Sequence, residues 1–436
     1  MPRVIVAGGG LAGLAAAAAL GGAGYEVELL ESRAFLGGRA TSYPLPASDS
    51  GEVIDNCQHI LLRCCVNLLD FYRRLGVENE VKFYREFHFL EPGGRKSVLK
   101  AGVLPAPFHF TGSFLGFHAL SLADKLSITR GLLAVRKDYH ERRDLDQITM
   151  ADWLRETKQT QRAIDRFWEP VLVSAISEQL DRMAAVHGLQ VFWLGFLARA
   201  DSYEMGVPNV PLGALYSADR WTGMGKVDLR MRCSVEDFVV ENGALAGVKT
   251  SEGARSADAY ICALPFERVV GLDLDLSKFE HSPITGIHLW FDRTITNLPH
   301  AVLLDRTIQW MYNKGEGKYL QLVVSASRSL TAMPRGEVID LALRELGEFF
   351  PVVRDAKLEK AHVVKEIRAV FSAVPGLEAA RPVSATPLPN LFLAGDWTRT
   401  GWPATMEGAV RSGYLAAEAV TERFGRREKF LLPDIA

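Results

Sequence analysis

Apolar positions open the chain in an unbroken run. Val4-Ile5-Val6-Ala7 has the length and branching of a buried strand, and the alanine-rich stretch after Gly8–Gly13 predicts a helix over about 11–23. A second apolar-rich run predicts a strand over 26–31, so the chain begins β-α-β. Leu61, Leu62, Leu68, Leu69 and Tyr72 fall near one face of a helix predicted over about 61–75. Residues 81–100 alternate as strands do, broken by the turn Pro92-Gly93-Gly94. Residues 121–205 carry mostly helical periodicity. Strands return over 227–265, with a hairpin turn at Asn242-Gly243. The segment 285–325 reads as strands and 337–350 as a helix. Near the C-terminus the apolar run 390–394 leads into Gly395-Asp396 and then a helix from about Met406. There are no internal repeats. The order, β-rich to α-rich and back twice, predicts two interleaved domains.

Composition adds mainly exclusions. A formal charge of −2 on 436 residues leaves no concentrated basic face, so nucleic acid is not an expected partner. Cys57, Cys64, Cys65, Cys233 and Cys262 form no C-x-x-C spacing; their odd number fits neither a disulfide framework nor a zinc site and points to a reducing cytoplasm. The opening reads as strand, turn and helix rather than as a signal peptide. No run reaches the ~20 apolar residues of a membrane span.

Gly8-x-Gly10-x-x-Gly13 carries the first chemistry. Gly8 permits a tight turn, Gly10 lets a pyrophosphate approach the backbone, and Gly13 lets helix pack on strand. Leu11 and Ala12 begin the helix whose free N–H groups would face the phosphates. Glu31 ends the next strand ~20 residues on, the expected place for a carboxylate that accepts a ribose diol. The pattern predicts a bound dinucleotide. Gly37-Gly38-Arg39 follows, and a guanidinium there suits the two charges of a flavin dinucleotide's pyrophosphate.

Glu31 followed by Leu36-Gly37-Gly38-Arg39-Ala40 resembles the flavin-containing amine oxidase and phytoene desaturase superfamily. So does "GDWTRTGWPATMEGAV" at 395–410, and so do "GVKTSEG" and "ADAYICALP" within 227–265. The resemblance implies an α/β fold, a Rossmann-type FAD-binding domain interleaved with an α+β substrate domain. The first would take residues 1–80, 206–270 and 385–436, the second 81–205 and 271–384. It implies FAD contacts from Gly8, Gly10, Leu11, Ala12, Gly13, Glu31, Ser32, Gly38, Arg39, Val235, Gly395, Asp396, Thr405 and Met406. Asp396 would meet the ribityl hydroxyls, Val235 would flank the adenine, and the helix from Met406 would face the N1–C2=O edge of the flavin.

Thr405 stands where amine oxidases of the superfamily carry a cage tyrosine, which argues against amine oxidation. The same segment is similar to carotenoid desaturases. It is most similar to their squalene-associated bacterial relatives, the hydroxysqualene dehydroxylases, as are "FWEPVLVSAISEQ" at 167–179 and "VIDNCQHILL" at 53–62. In the last of these, Cys57 replaces a glycine. The implied reaction is reductive removal of a hydroxyl from a long apolar isoprenoid. The alternatives are carotenoid-type desaturation and non-catalytic isoprenoid binding.

Candidate tunnel residues are Phe167, Trp168, Val171, Leu172, Phe192, Trp193, Leu194 and Phe196. For the acid that dehydroxylation needs, His59 is the candidate, oriented and charged by Asp55 if Asp55, Cys57 and His59 alternate onto one side. Trp402 and Arg399 would lie over the flavin by resemblance. A single dinucleotide fingerprint implies a separate electron donor. The stretch 104–122, with four phenylalanines and flanking Lys96, Lys100, Lys125 and Arg130, is expected to touch the inner face of the cell membrane without crossing it.

Overall fold

The computed structural model describes residues 1–46, 51–269 and 271–435, so part of the 1–80 segment and the predicted boundaries at 270 and 436 lie outside the described residues. Its first layer is a parallel sheet of five strands. Their spatial order is Lys226–Met231, Glu26–Glu31, Arg3–Ala7, Ala259–Cys262 and Leu391–Leu393. Every pairing in it is parallel. Both faces are covered, which is why these strands read as continuous apolar runs rather than alternating ones. The helix Leu11–Gly22 packs against the helix Met406–Arg423, and both cover this sheet. At their crossing, a Cβ on Gly413 would lie 2.2 Å from the Ala12 carbonyl oxygen. Backbone-to-backbone contact thus fixes the two helices together.

The second layer is a seven-stranded mixed sheet. Its second strand, His281–Phe291, lies between Tyr319–Ser325 and the long edge strand Leu358–Phe371, and the far edge is Lys96–Lys100. Over one side stand the helices Leu122–Glu141, Met150–Glu156, Glu169–Ile176 and Ala185–Phe192. Asn242 and Gly243 both take positive φ, as a two-residue hairpin turn requires.

The structure departs from the sequence reading at 61–75. Leu61–Leu62 is a short strand paired with Met205–Pro208, and the helix spans only Val66–Arg74. Its cap is remote: the Glu407 carboxylate accepts the N–H groups of Asn67 and Leu68 at 3.3 and 2.8 Å. The edge strand Leu358–Phe371 was not predicted. Two turns in the helical layer, Ile164–Trp168 and Trp193–Leu197, are π-helical, an insertion frequent at functional sites.

Candidate functional site

The strands Arg3–Ala7 and Leu391–Leu393 run the same way in one parallel sheet, so both glycine turns leave from the same edge. Ligands of open α/β sheets bind at that carboxyl edge. Gly8 has φ +113°, and a Cβ there would come 2.7 Å from the Ala263 carbonyl oxygen; a Cβ on Gly13 would lie 1.9 Å from the Gly8 oxygen. Gly10 differs. A Cβ on it would meet nothing nearer than the Gly38 Cα at 3.9 Å, so internal packing does not demand glycine there. The open space suits a phosphate. The helix beginning at Leu11 has no acidic residue in its first turn and no side-chain cap, leaving its N–H groups and positive end for an anion.

Glu31 is buried and held rigid. Its carboxylate accepts the Gly9 N–H at 2.8 Å, the Arg33 N–H at 2.7 Å and the hydroxyl of the exposed Ser32 at 3.1 Å. Cys233 donates its N–H to the Glu31 carbonyl at 2.9 Å, which brings Val235, in the strand Val235–Glu241, close behind it. Gly37 bonds to the Gly9 carbonyl at 2.9 Å, and a Cβ on Gly38 would press to 2.9 Å from the Gly10 Cα. The G-G-R turn therefore lies directly on the phosphate turn. Arg39 donates to the Asp396 carboxylate at 2.6 Å and to the Ala369 carbonyl at 3.2 Å.

Asp396 follows Gly395, which has φ +138° and where a Cβ would come 2.3 Å from the Trp397 indole nitrogen, so that no side chain fits. Thr405 caps the C-terminal helix, its hydroxyl accepting the Gly408 N–H at 3.0 Å, and Met406 is the first, partly exposed, helical residue. The helix N-terminus is free to face a flavin because Glu407 turns away to cap Val66–Arg74; burial pushes its carboxyl pKa up. These residues fit FAD: an anion cradle, a carboxylate for the ribose, and a second carboxylate beside a second helix N-terminus. When bound, FAD supplies a two-electron hydride acceptor or donor.

Asp55 and His59 are not partnered as expected. The strand Val53–Asp55 ends at Asp55, so the alternation that would align Asp55, Cys57 and His59 is lost. Asp55 instead accepts the Ser42 hydroxyl at 2.7 Å, the Leu212 N–H at 2.9 Å and the Lys314 ammonium at 3.2 Å. It joins three segments of chain. His59 Nδ1 lies 3.0 Å from the Cys57 carbonyl. Burial lowers the His59 pKa and favours the neutral imidazole, against the opposing pull of the Cys57 carbonyl and of the Asp55 and Glu366 carboxylates. A carbonyl can only accept, so Nδ1 carries the proton and Nε2 keeps a lone pair. Nε2 is therefore the nitrogen of His59 left to exchange a proton, and the lowered pKa favours its taking one. The segment still lies at the cofactor edge, because Asn56 donates to the Arg39 carbonyl at 2.8 Å. It also presses on the large sheet, where a Cβ on Gly286 would come 3.1 Å from the Asn56 carbonyl oxygen.

Among the tunnel candidates, Phe167 and Phe192 stack at 5.6 Å and Phe192 meets Phe196 at 5.6 Å. Trp168, Leu172 and Leu194 are closed into the core, while Val171 and Trp193 stay partly exposed. Trp402 is buried beside Cys64 and Leu194 and bonds Asp434 at 3.0 Å; Arg399 donates to the carbonyls of Arg381 and Ala379. Sequence reasoning missed Lys314 and Arg381, because an isolated cation in a strand or loop reads as a solvated surface residue.

The chain belongs to the family of flavin containing amine oxidoreductases, whose pattern matches residues 11–421. It is an FAD-dependent oxidoreductase. A probable zeta-carotene desaturase of Synechococcus elongatus is 27% identical over 478 residues, covering 96% of this chain and 98% of that protein. A 15-cis-phytoene desaturase of an Oncidium hybrid cultivar is 27% identical over 468 residues, covering 97% and 78%. Among solved structures, an oxidoreductase from Methanosarcina mazei superimposes with a TM-score of 0.71 at 18% identity, covering 94% of this chain and 98% of that one.

Proposed function

We propose that this enzyme desaturates a long, linear isoprenoid of the carotenoid type. The observation that carries the reading is full-length similarity to zeta-carotene and phytoene desaturases, in a chain that lacks the amine oxidases' cage tyrosine at Thr405. Residues 1–80, 206–270 and 385–436 would bind FAD, and 81–205 and 271–384 the substrate. His59 Nε2 would take the proton from one substrate carbon, and FAD, when bound, would supply the hydride acceptor for the neighbouring carbon, so that a double bond is left between them. The aromatic wall of Phe167, Phe192 and Phe196 excludes water and aligns the chain. One dinucleotide fingerprint leaves the electrons to a separate acceptor.

The second reading, reductive loss of the hydroxyl from hydroxysqualene, is favoured by the segments 53–62 and 167–179. It needs an acid, a role that the burial-lowered pKa of His59 disfavours. One experiment separates the two. Oxidised and photoreduced enzyme are each mixed under argon with phytoene or hydroxysqualene, and products are read by mass spectrometry. Bleaching of oxidised flavin with a product two hydrogens lighter supports desaturation. Squalene formed only by reduced enzyme replaces it with dehydroxylation, and an unchanged flavin with either substrate leaves a binding protein.

A membrane surface is the proposed source of substrate. No helix among the described residues is long and apolar enough to cross a bilayer. Of the fourteen exposed large apolar side chains among those residues, seven lie between 103 and 133: Val103, Leu104, Phe108, Leu115, Leu122, Leu126 and Leu133. Leu122, Leu126 and Leu133 share the outer face of the helix Leu122–Glu141. Lys125 donates to the Leu115 carbonyl at 2.6 Å, so loop and helix form one surface. Beneath it, Phe114 meets Phe167 at 5.8 Å and Phe110 meets Phe196 at 6.1 Å. This supports an apolar route from surface to interior. Phe117, by contrast, is core at 1% exposure.

A further inference from the structure

Arg381 is among the most buried large side chains of the protein, at 1% exposure. A guanidinium in that position needs both a counter-charge and hydrogen bonds. Glu378, one turn earlier, supplies the charge. The hydrogen bonds converge on one short segment. Arg381 donates to the carbonyls of Asp396 at 2.8 Å, Trp402 at 2.7 Å and Thr398, and to the Thr400 hydroxyl at 3.1 Å. From the substrate-domain helix Ala185–Phe192, Gln190 donates to the Gly401 carbonyl at 2.8 Å.

The segment 396–402 is irregular chain between the strand Leu391–Leu393 and the helix Met406–Arg423. Three of its carbonyl groups, those of Asp396, Thr398 and Trp402, point inward at one cation instead of pairing in a sheet or helix, while Arg411 donates to the Thr400 carbonyl at 3.3 Å. Without that cation, several buried oxygens would lose their donors together, and the segment would rearrange. Asp396 is held at both ends: its carbonyl by Arg381, its carboxylate by Arg39. The phosphate turn and Glu31 are fixed by separate contacts, among Gly9, Arg33 and Gly37.

We propose that Arg381 is the positioning residue for the flavin half of FAD, holding 396–402 so that Asp396 and the first turn of Met406–Arg423 meet the ribityl chain and isoalloxazine. The adenosine half is set independently. The proposal rests on the FAD assignment and not on the identity of the substrate.

The test compares the whole cofactor with its adenosine half. Arg381→Met keeps the length of the side chain but removes every donor; Arg381→Lys keeps the charge but not the fork. FAD affinity is read by flavin fluorescence, ADP affinity by calorimetry on deflavinated protein, and the bound flavin by its visible circular dichroism and midpoint potential. Arg381→Met is expected to weaken FAD roughly tenfold or more, to leave ADP affinity unchanged, and to shift the potential of any flavin retained. Arg381→Lys should recover part of the loss. Unchanged FAD affinity in Arg381→Met, or FAD and ADP weakened together, would overturn the proposal. If Arg381→Met does not accumulate folded, Arg381→Lys decides by the same titrations: FAD weakened with ADP intact supports the assignment, and any other pattern rejects it. Failure of phytoene turnover alone touches the substrate reading and leaves these titrations unaffected.

Discussion

Arg39 and Asp396 meet at 2.6 Å across 357 positions of sequence. The pair ties the turn after the second strand to the turn before the last helix, and so links the two glycine turns at one edge of the parallel sheet. The Arg39 side chain is 37% exposed in this pair, and once FAD covers it a charge-assisted hydrogen bond to the cofactor would be worth ~1.5–3 kcal/mol. Arg39→Ala should therefore weaken FAD by roughly one to two orders of magnitude. Arg39→Lys keeps the charge but cannot reach both Asp396 and the Ala369 carbonyl, and should fall between. Equal affinity in the three proteins, measured by flavin release on dilution, would remove Arg39 from the site.

Gly10 and Gly13 should fail differently. Gly10 faces open space, so Gly10→Val is expected to fold with a near-normal melting temperature and bind no FAD. Gly13→Ala would drive a methyl to 1.9 Å from the Gly8 oxygen and should lose the fold itself. Stoichiometric FAD in folded Gly10→Val would place the pyrophosphate elsewhere.

Where local sequence sets local structure, the chain was legible. Arg3–Ala7, Glu26–Glu31 and Met406–Arg423 begin where their apolar runs and glycine turns begin. Misreadings occurred where a distant residue decides. The helix Val66–Arg74 starts late because its cap, Glu407, arrives from the far end of the chain. Leu358–Phe371 escaped because an edge strand exposes much of its surface, and its charged residues blur the period of two. Asp55 and His59 were paired on an assumed extended backbone, which ends at Asp55. Arg381 left no sequence trace, since nothing local separates a buried arginine from a solvated one.

His59 should act only when neutral. Burial holds its pKa below the usual 6.5, so the rate of desaturation should be flat from about pH 6.5 upward and fall as pH drops through the lowered pKa. His59→Ala is expected to keep FAD and slow turnover ~10²-fold, the scale for losing a general base. His59→Gln should also lose the acid limb of the profile. A variant with the wild-type rate at every pH would take His59 out of the mechanism.

Three buried histidines set a pH limit on stability. Burial lowers His187 and His300 to about 4 and His288 to about 3. Unfolded, each titrates near 6.5, so between these values the unfolded chain binds more protons than the folded one. Stability is then fully present above about pH 6.5 and is lost as pH falls toward 4. The loss is on the order of 3 kcal/mol per histidine at the low end. Urea unfolding from pH 7 to pH 4.5 should show this slope, and His300→Gln should flatten it. A stability that rises on acidification would contradict the buried neutral state.

Membrane contact is best tested on side chains that pack against nothing. Phe108, Leu115, Leu122 and Leu126 are 57%, 65%, 71% and 64% exposed, so the fold does not need them. A surface of this kind binds through buried apolar area, helped by cations near anionic head groups. Arg130 is exposed at its rim, although its guanidinium also holds the carbonyls of Thr157 and Lys158; Lys100 is paired with Glu86 and contributes less. The variant Leu115→Ser, Leu122→Ser, Leu126→Ser should keep its melting temperature and no longer sediment with vesicles containing anionic lipid. Phe117→Ser is the control in the opposite sense. Phe117 packs edge-to-face on Phe89 at 5.0 Å in the core, so its loss should cost about 3–5 kcal/mol of stability. If the triple serine variant still binds vesicles as the parent does, the lipid contact is not made by this face, and the apolar stripe must meet something other than a bilayer.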